Sequence, residues 1–273
     1  MRKRVLRMAA GVAAAWITTT GMAVGSVPGK TCCGGETMAN QASPQVVERI
    51  NGGMANCYIV SQGDSAVLVD TGTENTRDKI LEKCWAANVG LIVLTHGHYD
   101  HVQNAVFLSQ ALGAPVAMHP ADMPVNMHPA DAPVLRNILA EPIAAHSFQG
   151  KLMAGVIRLG QRPKLKNLVT RVQKNEIPPF VPEIELRDGF SLEAFGVDAR
   201  VIALPGHTRG SVGLLVGSDL FAGDALMNIG KPGRAAHYVD RAAMEESAAR
   251  ISALGEDVTV WFGHGKPVRN RVW

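Results

Sequence analysis

Long apolar runs are almost missing from this 273-residue chain. Only one stretch, Met8 to Gly25, approaches bilayer-spanning length, and it holds mostly Ala, Gly and Thr rather than large aliphatics. A polytopic membrane protein is therefore not indicated. Charge is also sparse: charged residues make up 19% of the chain against 47% hydrophobic. That balance excludes disorder as the dominant state and leaves enough apolar side chain for a sizeable core. Only four cysteines occur, Cys32, Cys33, Cys57 and Cys84, and none is spaced C-x-x-C. Neither a structural zinc site nor a thioredoxin-like site is indicated. Cys57 and Cys84 fall in an expected strand and an expected helix and read as buried apolar side chains. The adjacent Cys32 and Cys33 lie in a Gly-rich stretch, either redox-active or, the simpler reading, incidental. A serine nucleophile is missing too, because neither Ser65 in GDSAV nor Ser211 in RGSVG sits in a G-x-S-x-G elbow.

Acidic residues are absent from the first 25 positions, which carry Arg2, Lys3, Arg4 and Arg7. The chain has 27 basic and 24 acidic residues; without those four the balance is 23 against 24. The body is thus near neutral, and nucleic-acid binding is not indicated. A basic start, a small-residue apolar run and Ala23-Val24-Gly25 read as a secretory signal over residues 1–25. Export to a periplasm or beyond is expected, with cytoplasmic residence the alternative if the true start is Met38. No apolar residue precedes Thr31-Cys32 as a lipid-attachment box requires, so no stable membrane anchor is expected.

Residues 26–45 (GKTCCGGE, NQASP) read as a linker, and 46–273 as one domain. Strands are expected at Cys57–Ser61, Ala66–Asp70, Leu91–Thr95, Pro115–Met118, Val201–Leu204, Ser211–Val216, Leu220–Ala222 and Val258–Phe262. Helices are expected at Thr76–Asn88, His101–Leu112 and Arg241–Leu254. Strands and helices alternate in both halves, which indicates a layered α/β domain. Residues 119–190 are irregular and Pro-rich. A short repeat, His119-Pro-Ala-Asp122 and His128-Pro-Ala-Asp131, stands near Met118, Met123 and Met127. It reads either as a soft-metal site or, more simply, as a strand-to-helix turn with Pro at the first helical position.

The informative string is Thr95-His96-Gly97-His98-Tyr99-Asp100-His101, directly after an apolar strand. His96 and His98, two apart, face one side of an extended backbone. Asp100 and His101 fall at a helix start, where unpaired N–H groups favour a carboxylate. The two pairs can therefore serve two metal positions. Imidazole and carboxylate suit zinc, and also iron or manganese. Three later segments repeat one design, an apolar strand ending in Gly and a ligand type: VIALPGH ending at His207, LFAGD ending at Asp224, and VTVWFGH ending at His264. Strand ends are where layered α/β folds assemble their sites.

With its H-x-H-x-D-H string and the ligands in PGHTRGS, FAGDAL and FGHGKP, the sequence resembles the metallo-β-lactamase-fold hydrolases, over about Val46 to Val268. The resemblance implies an αββα sandwich, two mixed β-sheets flanked by helices. It implies that His96, His98 and His207 hold one metal, that Asp100, His101 and His264 hold a second, and that Asp224 bridges them. Two zinc ions per chain are the expected cofactor. Asp70 in LVDTG matches a residue that supports the ligands from behind, and Thr208 and Ser211 match positions that brace the His207 loop.

A two-metal site of this kind lowers the pKa of bound water from about 15.7 to roughly 7 and polarises a carbonyl or phosphoryl group. Metal-bound hydroxide attacking an ester, thioester or lactone carbonyl of a small molecule is the expected reaction, with Asp100 passing the proton to the leaving group. A bridging carboxylate is similar to the glyoxalase II, lactonase and phosphodiesterase branches, and β-lactam hydrolysis is disfavoured by it. A phosphodiesterase and a mononuclear iron oxygenase of the persulfide type remain alternatives, and a non-catalytic binding protein would have lost ligands. Residues 119–190 are the expected substrate-covering insertion. Within them Lys151 to Lys174 holds seven basic residues and no acid, and Leu165, Leu168, Val169 and Val172 recur at helical spacing. That part reads as a lid for an anionic or acyl substrate or as a solvated basic face. Tyr99 either lines a pocket mouth or packs under its loop.

Overall fold

The computed structural model describes residues 44–125, 181–235 and 238–273. The signal segment, residues 26–43 of the expected linker with Cys32 and Cys33, the second half of the repeat at His128 and Asp131, and the basic stretch from Lys151 to Lys174 lie outside the described residues, while the end of the expected linker, Gln45, already belongs to a strand.

Six strands form the first sheet in chain order: β1 (Gln45–Asn51), β2 (Asn56–Gln62), β3 (Ser65–Val69), β4 (Val89–Val93), β5 (Val116–Met118) and β6 (Ile184–Glu185). The first three run antiparallel, and β3 to β6 run parallel. The crossover from β3 to β4 is helix α1 (Arg77–Ala86). The crossover from β4 to β5 carries α2 (Tyr99–Val102) and α3 (Ala105–Leu112). The second sheet contains β7 (Arg200–Ala203), β8 (Val212–Val216), β9 (Asp219–Gly223), β12 (Thr259–Phe262) and β13 (Val268–Arg269), ordered β13-β12-β9-β8-β7. Helix α4 (Arg241–Ser252) carries the chain from β9 toward its parallel neighbour β12. Between them a separate hairpin pairs β10 (Leu226–Ile229) with β11 (Lys231–Arg234).

The strands read as nearly unbroken apolar runs because both faces of each sheet are covered. In β2, Tyr58 and Val60 point between the sheets and meet Val212, Leu214 and Phe221 in one cluster. Cys57 and Ile59 point outward and pack with Ile80, Leu81 and Cys84 of α1 and Leu108 of α3. On the other side, Leu220 and Ala222 of β9 meet Ala248 and Ile251 of α4. Helices therefore lie outside two face-to-face sheets, an αββα sandwich. Phe221 and Phe262 are wholly buried, and burial of a side chain of that size is worth about 1.5–3 kcal/mol.

Cys57 and Cys84 are buried free thiols, and burial pushes both up, Cys84 to about 12. The helix expected from His101 starts earlier, at Tyr99, and breaks at Asn104. Asn104 is fully buried, and its side-chain amide donates to the carbonyls of Thr71 and Thr73. A side chain that bonds the backbone elsewhere favours a helix boundary over a helix interior. Strand β1 had no expected counterpart. Of its seven residues only Ile50 is buried, so its periodicity is faint. The two described ends of the 119–190 segment belong to the sandwich. Pro120–Val125 forms a short 3-10 helix after β5, and β6 pairs with Ala117 and Met118.

Candidate metal centre

Every expected ligand stands at or just beyond the end of a strand. His96, His98, Asp100 and His101 follow β4, His207 follows β7, Asp224 follows β9, and His264 follows β12. The loops are glycine-punctuated for a physical reason. A Cβ on Gly263 would lie 2.1 Å from Asp224 Oδ1 and 2.7 Å from His101 Cε1. Gly223 and Gly206 adopt φ of 52° and 133°, backbone that other residues rarely take.

The structure brings all seven side chains together in three overlapping groups. These are His96, His98 and His207; His96, His101 and Asp224; and Asp100, His101 and His264. In each group the potential ligand atoms lie within 4.8 Å of one another. His98 Nδ1 is 3.1 Å from His96 Nε2 and 2.8 Å from His207 Nε2. Asp224 Oδ2 sits centrally, 3.9 Å from His96 Nε2, 3.7 Å from His207 Nε2, 3.6 Å from His101 Nε2 and 3.2 Å from His264 Nε2. Asp100 Oδ2 is 3.4 Å from His264 Nε2. His264, 15% exposed along its side chain, is the most open of the seven. Among the seven, exposure to solvent is thus concentrated at His264.

The donor set fits divalent cations. His101 Nε2 and Asp224 Oδ1 are buried and have no hydrogen-bond partner in the protein. Leaving such atoms unsatisfied costs about 1–3 kcal/mol each, and more for a charged group. A cation between them satisfies both, and imidazole with carboxylate is what zinc, iron and manganese accept.

Electrostatics of the bare protein reflect the crowding. Burial, with His101, His98 and His207 close by, holds the His96 imidazole well below its usual range. For His101, burial works downward but Asp70, Asp224 and Asp100 outweigh it, so its imidazole is pushed well up. His264 is raised in the same way, chiefly by Asp224. Burial would raise the Asp224 carboxyl, but His264 and His101 hold it well below the usual carboxylate range.

Behind the ligands, Asp70 occupies a left-handed backbone, φ 59°, uncommon for a residue with a side chain. Its carboxylate accepts from Thr95 N at 2.8 Å and from Thr95 Oγ1, and lies 2.8 Å from His101 Nδ1. The Thr95 hydroxyl also lies 3.0 Å from His96 Nδ1. One carboxylate thus orients His101 directly and His96 through a hydroxyl, leaving both Nε2 atoms toward the centre. The Thr208 and Ser211 hydroxyls lie 2.7 Å apart, and the Ser211 hydroxyl accepts from the Thr208 N–H. Tyr99 is buried, its hydroxyl against Met54 Sδ at 3.4 Å, so it packs under the loop. His119 and Asp122 join none of the ligand groups found among the described residues.

Three contributors escaped the sequence reading. Thr95 stands inside the ligand string but carries no metal-ligand chemistry of its own. Asp122 was visible only in the His119–Asp122 repeat, read as a soft-metal site or a turn, and neither reading announces its contacts with the two loops. Asn56 comes from β2 and donates to the carbonyls of Phe262 and Gly265 on either side of the His264 loop; its own N–H bonds Gly263 O. Nothing in its sequence neighbourhood announces that contact, which spans more than 200 positions.

Fold and site together define an αββα protein with a histidine- and aspartate-rich candidate metal centre at the strand ends. The chain belongs to the metallo-beta-lactamase superfamily, whose sequence pattern matches residues 50–264. An uncharacterized protein of Mycobacterium tuberculosis is 30% identical over 223 residues, 77% of this chain and 85% of that one. A hydroxyacylglutathione hydrolase of Halorhodospira halophila is 32% identical over 154 residues, 56% of this chain and 57% of that one. Among solved structures, a protein crystallised in a di-iron-bound form is 28% identical, with a TM-score of 0.56 over 82% of this chain and 94% of that one.

Proposed function

We propose that the chain is a dinuclear metal-dependent hydrolase of ester, thioester or lactone bonds in small molecules. The observation that carries this reading is Asp224, whose Oδ2 faces imidazoles of both flanking groups while its Oδ1 has no partner within the protein. A buried carboxylate so placed would be within reach of cations held by either group. His96, His98 and His207 would hold one cation and Asp100, His101 and His264 the other. Bound there, divalent cations supply activation of water at neutral pH and polarisation of an acyl oxygen.

The residues supply the rest. Asp70 and Thr95 hold the His101 and His96 rings with Nε2 presented inward. The near-complete burial of His96, His101, His207 and Asp224 keeps bulk water from these groups, which strengthens every charge interaction inside. His264, the most open of the seven, marks the side on which an acyl group would enter. The Asp100 carboxylate takes a proton from the attacking water and delivers it to the departing sulfur or oxygen. The relative from Halorhodospira halophila, named a hydroxyacylglutathione hydrolase, supports an acyl-transfer substrate. The di-iron form of the structural relative leaves the choice between zinc and iron to be measured.

The test is a panel of thioesters, lactones, bis-aryl phosphodiesters and a chromogenic cephalosporin, run on protein whose metal content has been quantified. Turnover of an acyl substrate with two metal equivalents supports the proposal. Turnover of phosphodiesters alone, or oxygen consumption with one iron, replaces it.

A further inference from the structure

We propose that Asp122 is a positioning residue that clasps the His96–His98 loop to the His207 loop and so sets the spacing of one of the two cation positions. The proposal rests on the dinuclear reading above and adds to it a residue outside the ligand set. Asp122 lies in the short 3-10 helix after β5 and is 3% exposed. Its Oδ2 accepts from the Gly97 N–H at 3.0 Å, the amide between His96 and His98. The same oxygen accepts from Thr208 Oγ1 at 2.5 Å, the residue after His207. Its Oδ1 accepts from the Gly210 N–H at 2.7 Å. The two clasped loops leave different sheets, β4 of the first and β7 of the second. Packing is tight at the clasp: a Cβ on Gly210 would lie 2.6 Å from Asp122 Oδ1.

Side-chain chemistry explains why the position holds a carboxylate. All three bonds run into Asp122, and both oxygens are used. An amide of the same shape carries two N–H donors, and either orientation turns them against a donor of one loop. Burial on its own pushes the Asp122 carboxyl up, and Thr208, Gly210 and Gly97 oppose that shift. The clasp touches only one half of the centre. His101 is held by Asp70, and the His264 loop is held by Asn56 and by the Tyr58 hydroxyl on Phe262 O. Loss of the Asp122 carboxylate therefore loosens chiefly His98 and His207, since His96 keeps its support from Thr95 and Asp70, and leaves His101 and His264 in place.

The experiment titrates metal-stripped wild type, Asp122→Asn and Asp188→Asn with Co²⁺, reading d–d absorbance and competition with a chelator. Asp188→Asn alters an exposed carboxylate that pairs with Arg250 and accepts from the Ala203 N–H but touches none of the ligand residues, and it serves as a control. Wild type and Asp188→Asn are expected to take up two equivalents. In Asp122→Asn one equivalent weakens by about 10–100-fold, the usual effect of removing a group that orients ligands, while the other keeps its affinity. Wild-type affinity at both positions in Asp122→Asn, or equal weakening of both, overturns the clasp. Wild type binding fewer than two equivalents overturns the dinuclear reading beneath it. If Asp122→Asn fails to fold, Thr208→Val and Thr208→Ser carry the test. Valine removes the hydroxyl bond and weakens one equivalent, and serine restores it; identical binding by both variants contradicts the proposal.

Discussion

Asp224 and its neighbours show what single side chains do in this protein. The carboxylate lies within 3.9 Å of four imidazole nitrogens contributed by three different loops. All the ligand types were legible in the sequence, because His and Asp after Gly at strand ends are conspicuous. Their orientation was not, since it depends on Thr95 and Asp122, whose roles rest on hydrogen bonds that reach across 25 positions from Thr95 to Asp70 and across 25 to 88 positions from Asp122. Asp100 is the one proposed ligand also given a proton-carrying part. Asp100→Asn is therefore expected to lower kcat by about 10²–10⁴-fold, the usual worth of a general acid–base group. Steady-state kinetics beside metal analysis checks this: a deficit that persists at full metal loading fits the proton role, and full activity excludes it.

At the scale of elements, the strands hold and the loops present. The apolar runs that mark β4, β7, β9 and β12 were readable because both faces of each strand are buried. The edge strand β1, the hairpin of β10 and β11, and the two-residue strands β6 and β13 were not. They are short or half-exposed, so their alternation is faint, and β6 also owes its pairing to β5, more than 60 positions earlier in the chain. The loop after β12 shows how close the tolerances are. Gly263→Ala places a methyl against Asp224 Oδ1 and the His101 ring. It is expected to fold with native circular dichroism yet to bind fewer than two metal equivalents. Unchanged stoichiometry, read by metal analysis after gel filtration, would show that the loop yields more easily than the geometry indicates.

Across the whole molecule, one core between the sheets and one under each helical layer fix where the loops emerge. Phe221 belongs to the central core, its ring 5.2 Å from Tyr58 and 5.9 Å from Trp261, three residues before Asp224. Phe221→Ala is expected to cost about 3–5 kcal/mol, seen as a lower denaturant midpoint. A loss well below that would mean that the sheets close over the cavity. Cations bound by the folded state alone also raise stability, by about 2.7 kcal/mol at one hundred times the dissociation constant. Chelation should therefore lower the melting temperature of wild type, and an unchanged melt would show that no ion is held at the strand ends.

Anomalous scattering from a crystal grown with zinc tests the account most directly. Two peaks are predicted, one coordinated by His96, His98 and His207, the other by Asp100, His101 and His264, with Asp224 reaching both. A single peak, or an Asp224 carboxylate out of reach of either ion, would contradict the dinuclear centre and the chemistry proposed for it.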